Sequence, residues 1–431
     1  MISLRKNTEE EILMQFDWVE ITLAIIYMIT LYYTIFWLLV ALEPERKVVH
    51  KNLKNWPMVT IVIPAYNEEQ SIEKSIKSVI ELDYPAKKLQ LIAVDDGSTD
   101  STLKKMKSAA KRYSSHDIMI INQKNGGKYT ALNKGLSNAK GEFFVCLDAD
   151  SYAKPDALRK MIPYFKSEKV GIVIPMMKVS NPKNFLEKMQ WYEYLINKLY
   201  SKFISRLNCL HVAPGPFSSY RTKILRELGG FVKGHNTEDL EIALRMQRSH
   251  YKIIQVMEAE VTTVSPTNIK DLYYQRKRWN KGSLLNIIDY KSMVFNRNYG
   301  DFGMFYLPLV LLSGFFFLTI VLLSIFYQMI KPAYKGISNL SLVNFDIMTF
   351  WRNISFNFIW LDIDFYKIVM MLSAIVISII VMILAHRKAS EKFGSEGFFS
   401  MIIMTFLYFL LLGFFWMGVF KDILVRKLQK W

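Results

Sequence analysis

The sequence has little cysteine: only Cys146 and Cys209 occur among its 431 residues. Two thiols so far apart provide neither a disulfide framework nor the spacing of a metal site, so we predict that both are buried core residues. RNP-like, zinc-finger and helix-turn-helix motifs are also missing, and the chain shows no internal repeats. The formal net charge of +17 therefore favours an anionic lipid surface or a phosphorylated ligand, and no nucleic acid, as the partner.

Long apolar runs collect toward the two ends of the chain. Because a helix that spans a bilayer needs about 20 mostly apolar residues, we predict four transmembrane spans, at residues 18–42, 305–330, 367–385 and 399–420. The first run is too long for a cleavable signal peptide, and no small-residue cleavage site follows it. The predicted organisation is an N-terminal segment (1–17), the first span, a large domain (43–300) ending in interfacial helices, and a C-terminal membrane region (301–430) with three spans.

Lysine and arginine residues flank the large domain on both sides. They are Arg46, Lys47, Lys51 and Lys54 after the first span, and Lys277, Arg278, Lys281, Lys291 and Arg297 before the second. Since positive residues near span ends stay on the cytoplasmic side, we predict a multi-pass protein of the cell membrane whose large domain is cytoplasmic. The basic tail after residue 420 conflicts with four spans: either it lies along a membrane surface, or the count is wrong. The aromatic segment 337–365 contains charged residues and is predicted to be a loop rather than a fifth span.

Short β-branched runs alternate with helical patterns in the large domain. Strands are predicted at 59–63, 89–94, 118–122 and 143–147, and helices at 70–82, 99–112 and 129–139. This alternation indicates an α/β domain with a mainly parallel sheet. Ligands bind beyond the carboxyl ends of the strands in such sheets, and the loops at those ends contain several carboxylates.

Asp148 and Asp150 follow the fourth predicted strand. Residues i and i+2 of a strand point to the same face, and two hard carboxylates so placed can hold Mg²⁺ or Mn²⁺ against a diphosphate. The metal would offset the charge that develops on a leaving nucleotide. The alternative, two solvated loop acids, fits less well with a position at the end of a strand.

Two further loops are predicted to contact a nucleotide. Asp95 and Asp96 follow a buried strand, and turn chemistry with helix capping explains the Gly-Ser that comes next but not the two acids. Lys128 follows two glycines at a predicted helix start, where it could meet phosphate as a point charge. A solvated lysine after a flexible turn is the alternative. The Walker pattern fails, because Tyr129 follows the lysine and the first glycine is missing, which weakens a kinase or ATPase interpretation.

Asp239 belongs to a Thr-Glu-Asp sequence before a predicted helix at 240–249. Acids in a first helical turn are ordinary, because they complement the helix dipole, so this motif alone indicates little. The functional interpretation needs one carboxylate that accepts a proton from an acceptor hydroxyl. We assign that role to Asp239, because the motif that follows requires a base.

Gln275, Arg278 and Trp279 occupy positions i, i+3 and i+4 of another predicted helix and therefore share one face. Arginine can hold phosphate oxygens through two hydrogen bonds, and a flat indole suits stacking on a sugar ring. We predict that these three residues act in catalysis. Arg276 and Lys277 point away from that face, and we predict that they contact lipid head groups, as in a basic interfacial helix.

The ordered motifs resemble those of the membrane-bound family 2 glycosyltransferases, which include the hyaluronan, chitin, poly-N-acetylglucosamine and cellulose synthases. The resemblance covers about residues 57–288 and rests on the sequences at 64–68 (PAYNE), 95–98 (DDGS), 131–133 (ALN), 148–150 (DAD), 237–239 (TED) and 275–279 (QRKRW), together with Lys128. It implies a GT-A fold, which is a Rossmann-like α/β domain, and inversion at the anomeric carbon.

The resemblance also implies how the donor is held. Tyr66 and Glu68 would line the nucleoside pocket, Asp95 would contact the uracil, and Lys128 would approach the diphosphate. Asp148 would lie beside the ribose and the metal. Asp148 and Asp150 would bind the metal, Mg²⁺ or Mn²⁺.

On the acceptor side, the resemblance implies a general base and a binding surface. Asp239 would deprotonate the acceptor, Gln275 and Arg278 would contact the diphosphate, and Trp279 would form the floor of the acceptor site. Gly215, Pro216 and Glu238 would complete that site. The sequence at 214–221 (PGPFSSYR) is similar to the acceptor segment of hyaluronan and chitin-type synthases, which favours UDP-N-acetylglucosamine or a related UDP-sugar as the donor.

We therefore expect a metal-dependent, inverting hexosyltransferase that builds a β-linked polysaccharide or oligosaccharide from a UDP-sugar at the lipid bilayer. We expect four spans to be too few for one chain to form a secretion pore. Three explanations are open: the protein forms a homo-oligomer, makes short glycans, or loads a lipid-linked acceptor. The enzyme alternative is non-processive transfer to a polyprenyl-phosphate or glycolipid. A non-catalytic subunit of an export complex is the third hypothesis.

Overall fold

The computed structural model describes residues 18–42, 55–342, 345, 348 and 365–425. They form two compact units. One unit contains the described parts of Met1–Glu43, Ser313–Ile380 and Phe409–Phe414, and the larger one contains those of Pro44–Leu312, Val381–Tyr408 and Phe415–Trp431. The predicted N-terminal segment, the basic residues 46–54 and the basic tail beyond 425 lie outside the described residues.

An eight-stranded mixed sheet forms the centre of the larger unit. Its strands are β1 (Val59–Ala65), β2 (Leu89–Asp95), β3 (Asp117–Asn122), β4 (Phe143–Cys146), β5 (Ser151–Ala153), β6 (Val170–Val179), β7 (Ser219–Arg221) and β8 (Lys252–Thr263). They lie in the order β3-β2-β1-β4-β7-β6-β8-β5. The first four strands of the chain pair in parallel, as do β6 and β8, whereas β7 runs antiparallel to β4 and β6, and β5 to β8.

Helices connect these strands and continue after them. In chain order they are α1 (Trp18–Leu42), α2 (Ile72–Ile80), α3 (Thr102–Arg112), α4 (Lys128–Ser137), α5 (Ala157–Met161), α6 (Phe185–Arg206), α7 (Thr222–Glu227), α8 (Glu238–Arg248), α9 (Ile269–Asp289), α10 (Leu307–Ile325), α11 (Lys331–Leu342), α12 (Phe365–Lys388) and α13 (Phe398–Leu424). Single π-helical turns, Phe302–Tyr306 and Phe326–Ile330, flank α10.

The sheet has an apolar layer on each face, because alternate residues of a strand point to opposite sides. Ile61 of β1 packs in one layer with Ile76 of α2. Val62, the next residue, packs in the other layer with Leu132 of α4. α4 lies close to β1 because Gly135 has no side chain: a Cβ there would be 2.5 Å from Val62 Cγ1. Burial on both faces explains why β1 is apolar along its whole length except at Thr60.

The predicted α/β class is confirmed, and each of the four predicted strands and three predicted helices of the first half is present. Cys146 and Cys209 are both buried, as predicted. The prediction of a mainly parallel sheet is incomplete, since β5 and β7 are antiparallel additions of three residues each. Strands this short display no periodicity from which they could be predicted.

Two helices among the described residues are long and apolar enough to cross a membrane, Phe302–Ile325 and Ile368–Lys388. Phe398–Tyr408 and Leu410–Leu424, which meet at a bend of 47°, would make a third if they form one broken span. The apolar part of α1, Ala24–Val40, is shorter than the about 20 residues that a membrane span needs. These helices indicate membrane association, and the predicted count of four spans is approximate. Of the predicted loop 337–365, the first six residues belong to α11, and most of the rest lies outside the described residues.

Candidate active site

A cavity of about 770 Å³ lies at the carboxyl ends of β1, β2 and β4 in the larger unit. Its wall contains every predicted site residue except Asp95: Tyr66, Glu68, Lys128, Asp148, Asp150, Gly215, Pro216, Glu238, Asp239, Gln275, Arg278 and Trp279. Segments more than 200 positions apart in the sequence therefore meet around one space.

Asp148 and Asp150 lie in the turn between β4 and β5, since β4 ends at Cys146. The Ser151 amide donates to the Asp148 carbonyl (3.0 Å), so these acids are not successive positions on the face of a strand as predicted. Both nevertheless line the cavity. Gly215 allows the opposite wall to approach them, because a Cβ there would lie 2.5 Å from Asp148 Oδ2.

Negative charge is concentrated around Asp150. Burial, together with the nearby carboxylates of Asp148 and Glu68, raises the pKa of Asp150 to about 7. Burial likewise raises the pKa of Glu68. Lys128 counters part of this charge: its Nζ lies 2.6 Å from Asp148 Oδ1 and 3.3 Å from Glu238 Oε1. Burial alone would lower the pKa of Lys128, but these carboxylates raise it well above its usual value, so the lysine stays charged.

The two aspartates fit a site for a hard divalent cation that a ligand completes. Within the described residues, no three His, Cys, Asp or Glu side chains are arranged to hold a metal by themselves. Mg²⁺ is commonly held by one or two carboxylates, with phosphate and water oxygens filling the remaining positions. Asp148 and Asp150 provide two such oxygen donors in the cavity wall, and a cation would relieve the repulsion that raises the pKa of Asp150.

The structure separates Asp95 from Asp96. Asp95 is buried at the end of β2, outside the cavity wall, and its Oδ1 accepts no hydrogen bond from the described residues. Asp96 lines the cavity and accepts hydrogen bonds from the backbone amides of Gly126 (3.0 Å, to Oδ1) and Gly127 (2.8 Å, to Oδ2). Asp96 therefore fixes the glycine loop from which α4 and Lys128 begin.

Asp239 lies in the first turn of α8 and in the cavity wall. Burial, together with the neighbouring carboxylate of Glu238, raises its pKa to about 6. The turn before it is held by α9: Asn286 Nδ2 donates to Thr237 Oγ1 (2.9 Å) and to the Gly234 carbonyl (2.8 Å). The acid is thus desolvated and attached to the helix that contains the Gln-x-x-Arg-Trp motif.

α9 presents Gln275, Arg278 and Trp279 to the cavity, as their spacing predicts. The prediction that Arg276 and Lys277 contact lipid head groups is wrong. Arg276 is 3% exposed and paired with Glu193, and Lys277 is 9% exposed with its Nζ 3.1 Å from Asp422 Oδ2. The sides of α9 that carry Arg276 and Lys277 pack against protein, and buried carboxylates neutralise the two cations.

Sequence reasoning missed several residues of the wall, among them Tyr194, His211, Asn280 and Ser283. His211 Nδ1 lies 3.0 Å from the hydroxyl of Tyr306, and burial lowers the histidine pKa to about 4, so the ring is neutral. A single histidine without a motif provides no signal in the sequence, and Tyr194 is one of 23 tyrosines.

A mixed β-sheet with connecting helices, and with a carboxylate-lined cavity at the strand ends, is typical of a GT-A-type fold. A solved mannosyltransferase from Pyrobaculum calidifontis, in complex with GDP-Man and Mn²⁺, has the same fold: the TM-score is 0.54 at 19% identity, over 85% of this chain and 94% of that one. Residues 60–229 match the family model described as Glycosyl transferase family 2. The chain therefore contains a family 2 glycosyltransferase domain.

Two curated relatives differ in what their names say they make. A beta-monoglucosyldiacylglycerol synthase from Nostoc is 30% identical over 263 residues, which are 59% of this chain and 56% of the relative. A poly-beta-1,6-N-acetyl-D-glucosamine synthase from Staphylococcus epidermidis is 30% identical over 227 residues, 52% of this chain and 54% of the relative. The chain thus matches about half the length of each.

Proposed function

We propose that the protein transfers a sugar from a UDP-sugar, with inversion, to a growing β-linked polysaccharide or oligosaccharide at a membrane. The observation that supports this most is the cavity, in which a buried acid, a charged lysine and the amide, guanidinium and indole of α9 face the same space as Asp148 and Asp150. Each of these groups has a role in displacing a nucleoside diphosphate from a sugar.

Binding of the donor depends on groups that neutralise a diphosphate. Lys128 lies between Asp148 and Glu238 and can move its charge toward the incoming phosphates. Arg278 adds a planar guanidinium for the same oxygens. Tyr66, which is 46% exposed, offers a ring at the nucleoside end of the cavity. A divalent cation held by Asp148 and Asp150 would offset the charge that develops on the leaving diphosphate.

Asp239 accepts the proton of the acceptor hydroxyl. As the acceptor oxygen attacks the anomeric carbon, the new carbon–oxygen bond forms on the face opposite the phosphate, and the bond to the diphosphate oxygen breaks. The proton moves to the Asp239 carboxylate, and the nucleotide leaves as UDP. A pKa raised to about 6 by burial suits a base that works near neutral pH.

The donor is proposed to be UDP-N-acetylglucosamine or a related UDP-sugar, and the acceptor a glycan that stacks on Trp279. The acceptor-like sequence at 214–221 and the similarity to a poly-beta-1,6-N-acetyl-D-glucosamine synthase support this choice. Transfer of a single sugar to a lipid is the second candidate. It is favoured by the similarity to a beta-monoglucosyldiacylglycerol synthase and by the small number of helices, among the described residues, that are long enough to span a membrane.

Full-length protein in detergent, supplied with Mg²⁺ or Mn²⁺ and a panel of UDP-sugars, tests the proposal. We expect UDP release with one sugar and a ladder of products by mass spectrometry, whereas one added sugar would identify the lipid-acceptor alternative. Binding of UDP without consumption of any UDP-sugar, even with added glycan and lipid acceptors, would favour a non-catalytic subunit.

Asp239→Asn tests the proposed base. Because an amide cannot take the proton, we expect turnover to fall by at least about 100-fold, with the UDP dissociation constant unchanged. Asp117→Asn is the matched control, since Asp117 is an exposed residue of β3 that pairs only at the surface with Lys140. Turnover by Asp239→Asn at the rate of this control would remove Asp239 from the mechanism.

A further inference from the structure

Arg276 lies behind the face of α9 that lines the cavity. Its guanidinium makes two hydrogen bonds to Glu193 of α6: Nε donates to Oε1 (3.1 Å) and Nη2 donates to Oε2 (2.7 Å). Both side chains are less than 10% exposed. Two parallel bonds of this kind fix the plane of the guanidinium as well as its position.

The same guanidinium contacts three residues of the cavity wall: Gln275, Trp279 and Tyr194, whose ring centre lies 5.8 Å from Arg276 Cζ. Arg276 Nη1 donates to Gln275 Oε1, and Arg276 Cζ lies 4.2 Å from the centre of the Trp279 ring. Because the amide oxygen of Gln275 is engaged by Arg276, the amide NH₂ is the part that can donate to an anionic ligand. A cation over the face of an indole attracts the ring electrostatically and so favours one position of it. One buried charge thus orients both side chains.

Stability alone does not explain this pair. Removing two charges from water costs about as much as their attraction returns, and apolar residues of similar volume often replace such pairs without loss. Burial would lower the pKa of Arg276, but the Glu193 carboxylate raises it above its usual value, so the arginine remains charged. The charge is maintained at a place where it touches Gln275 and Trp279.

We propose that the Arg276–Glu193 ion pair is a positioning device that orients the Gln275 amide and the Trp279 indole for sugar transfer. Arg276 acts through these neighbours and is not itself a catalytic residue. The inference rests on the proposed function for its effect on turnover, but the orientation of Trp279 is measurable without any substrate.

The test is the paired variant Arg276→Met/Glu193→Leu, which removes both charges and approximately keeps the volume. We expect a folded protein with an unchanged melting temperature and an unchanged dissociation constant for UDP. We expect kcat to fall between about 10-fold and 100-fold, the loss typical of a misplaced group near the chemistry. A purely structural pair would leave kcat at the wild-type value in this folded variant. If the paired variant does not fold, Arg276→Lys is the second test. Lysine keeps the positive charge but cannot make the two parallel hydrogen bonds to Glu193, so we expect the same fall in kcat.

Hydroxyl-radical footprinting provides the readout that needs no turnover. Oxidation of Trp279, located by peptide mass spectrometry, should rise about two- to fivefold in the paired variant, the change expected when a cation–π contact is lost. Lys277→Met is the matched control: it removes the adjacent buried cation of α9, while Asp422 keeps Lys281 at 3.6 Å. We expect this control to retain wild-type kcat and Trp279 oxidation.

The outcomes separate the two proposals. Unchanged oxidation of Trp279 together with unchanged kcat in the folded paired variant would overturn the positioning role. If the wild-type protein consumes no UDP-sugar, the proposed function fails, and the footprint of Trp279 still decides whether the ion pair orients the indole.

Discussion

The proposed role of Asp239 as the general base predicts that turnover depends on pH. A general base must be deprotonated, and burial raises the pKa of this carboxyl to about 6. We therefore expect kcat/KM for UDP release to rise with pH, with a midpoint near 6, and to level off above it. Initial rates at low donor concentration, measured from about pH 5 to 8, check this. A midpoint near 4, the ordinary value for aspartate, would show that Asp239 is not desolvated in the working enzyme.

Individual residues of the cavity were predictable to the extent that they belong to motifs. Asp239, Gln275 and Trp279 each belong to a short sequence whose order along the chain indicates one site, and the structure places them in one wall. Arg276 was misassigned because helical spacing states which residues share a face but not what packs behind that face. Its partner Glu193 lies 83 positions away, in a helix with no recognisable motif.

The loop between β3 and α4 depends on one carboxylate. Asp96 accepts amide protons from Gly126 and Gly127, and its Oδ1 also accepts from Gln123 Nε2 (2.7 Å). In Asp96→Asn, one of these oxygens becomes an NH₂ group that cannot accept an amide proton. We expect the loop to shift Lys128 and the affinity for UDP to fall about 10-fold, because bonds to a charged acceptor each contribute about 1.5–3 kcal/mol.

Isothermal titration with UDP measures this change, and Asp117→Asn again serves as the control because its carboxylate is exposed. Equal UDP affinity in the two variants would mean that the loop keeps its shape without Asp96. A melting temperature measured alongside separates a local change in the loop from general loss of structure.

The first half of the sheet was predictable because its strands are apolar runs rich in β-branched residues, separated by amphipathic helices. β1 and β2 are buried along their whole length, and α2 has its apolar residues on one side. In the second half, β5 and β7 could not be predicted, because they have three residues each and pair with strands far away in the sequence. The turn at Asp148 and Asp150 could not be predicted either, because the sequence of a short acidic segment does not distinguish an extended backbone from a turn.

In the larger unit, a cluster of charges joins the sheet to the chain that follows α12. Lys178 Nζ of β6 lies 2.6 Å from Glu260 Oε1 and 2.7 Å from Glu391 Oε1, and it donates to the Ala389 carbonyl (3.3 Å). Burial would lower the pKa of Lys178, but the two carboxylates raise it, so it is a charged link between separate parts of the chain.

Lys178→Met should therefore destabilise the folded protein by about 1–3 kcal/mol, because Glu391 and part of the charge of Glu260 lose their partner. The apparent melting temperature in detergent, followed by intrinsic fluorescence, measures the effect. Lys154→Met is the control, since Lys154 also pairs with Glu260 but is 55% exposed and should contribute little. Equal melting temperatures for the two variants would contradict a structural role for the buried lysine.

Asp422, near the end of α13, limits how this chain could be recombined with others. Its Oδ2 lies 3.1 Å from Lys277 Nζ and 3.6 Å from Lys281 Nζ, and Gly418, one turn earlier, allows Tyr273 of α9 to pack against α13. A transferase segment grafted onto a foreign membrane region would bring Lys277 and Lys281 without the buried carboxylate that they share here, unless the recipient supplies an acid at the same place. For gene fusion, α9 and the last helix, α13, are therefore exchangeable only as a pair.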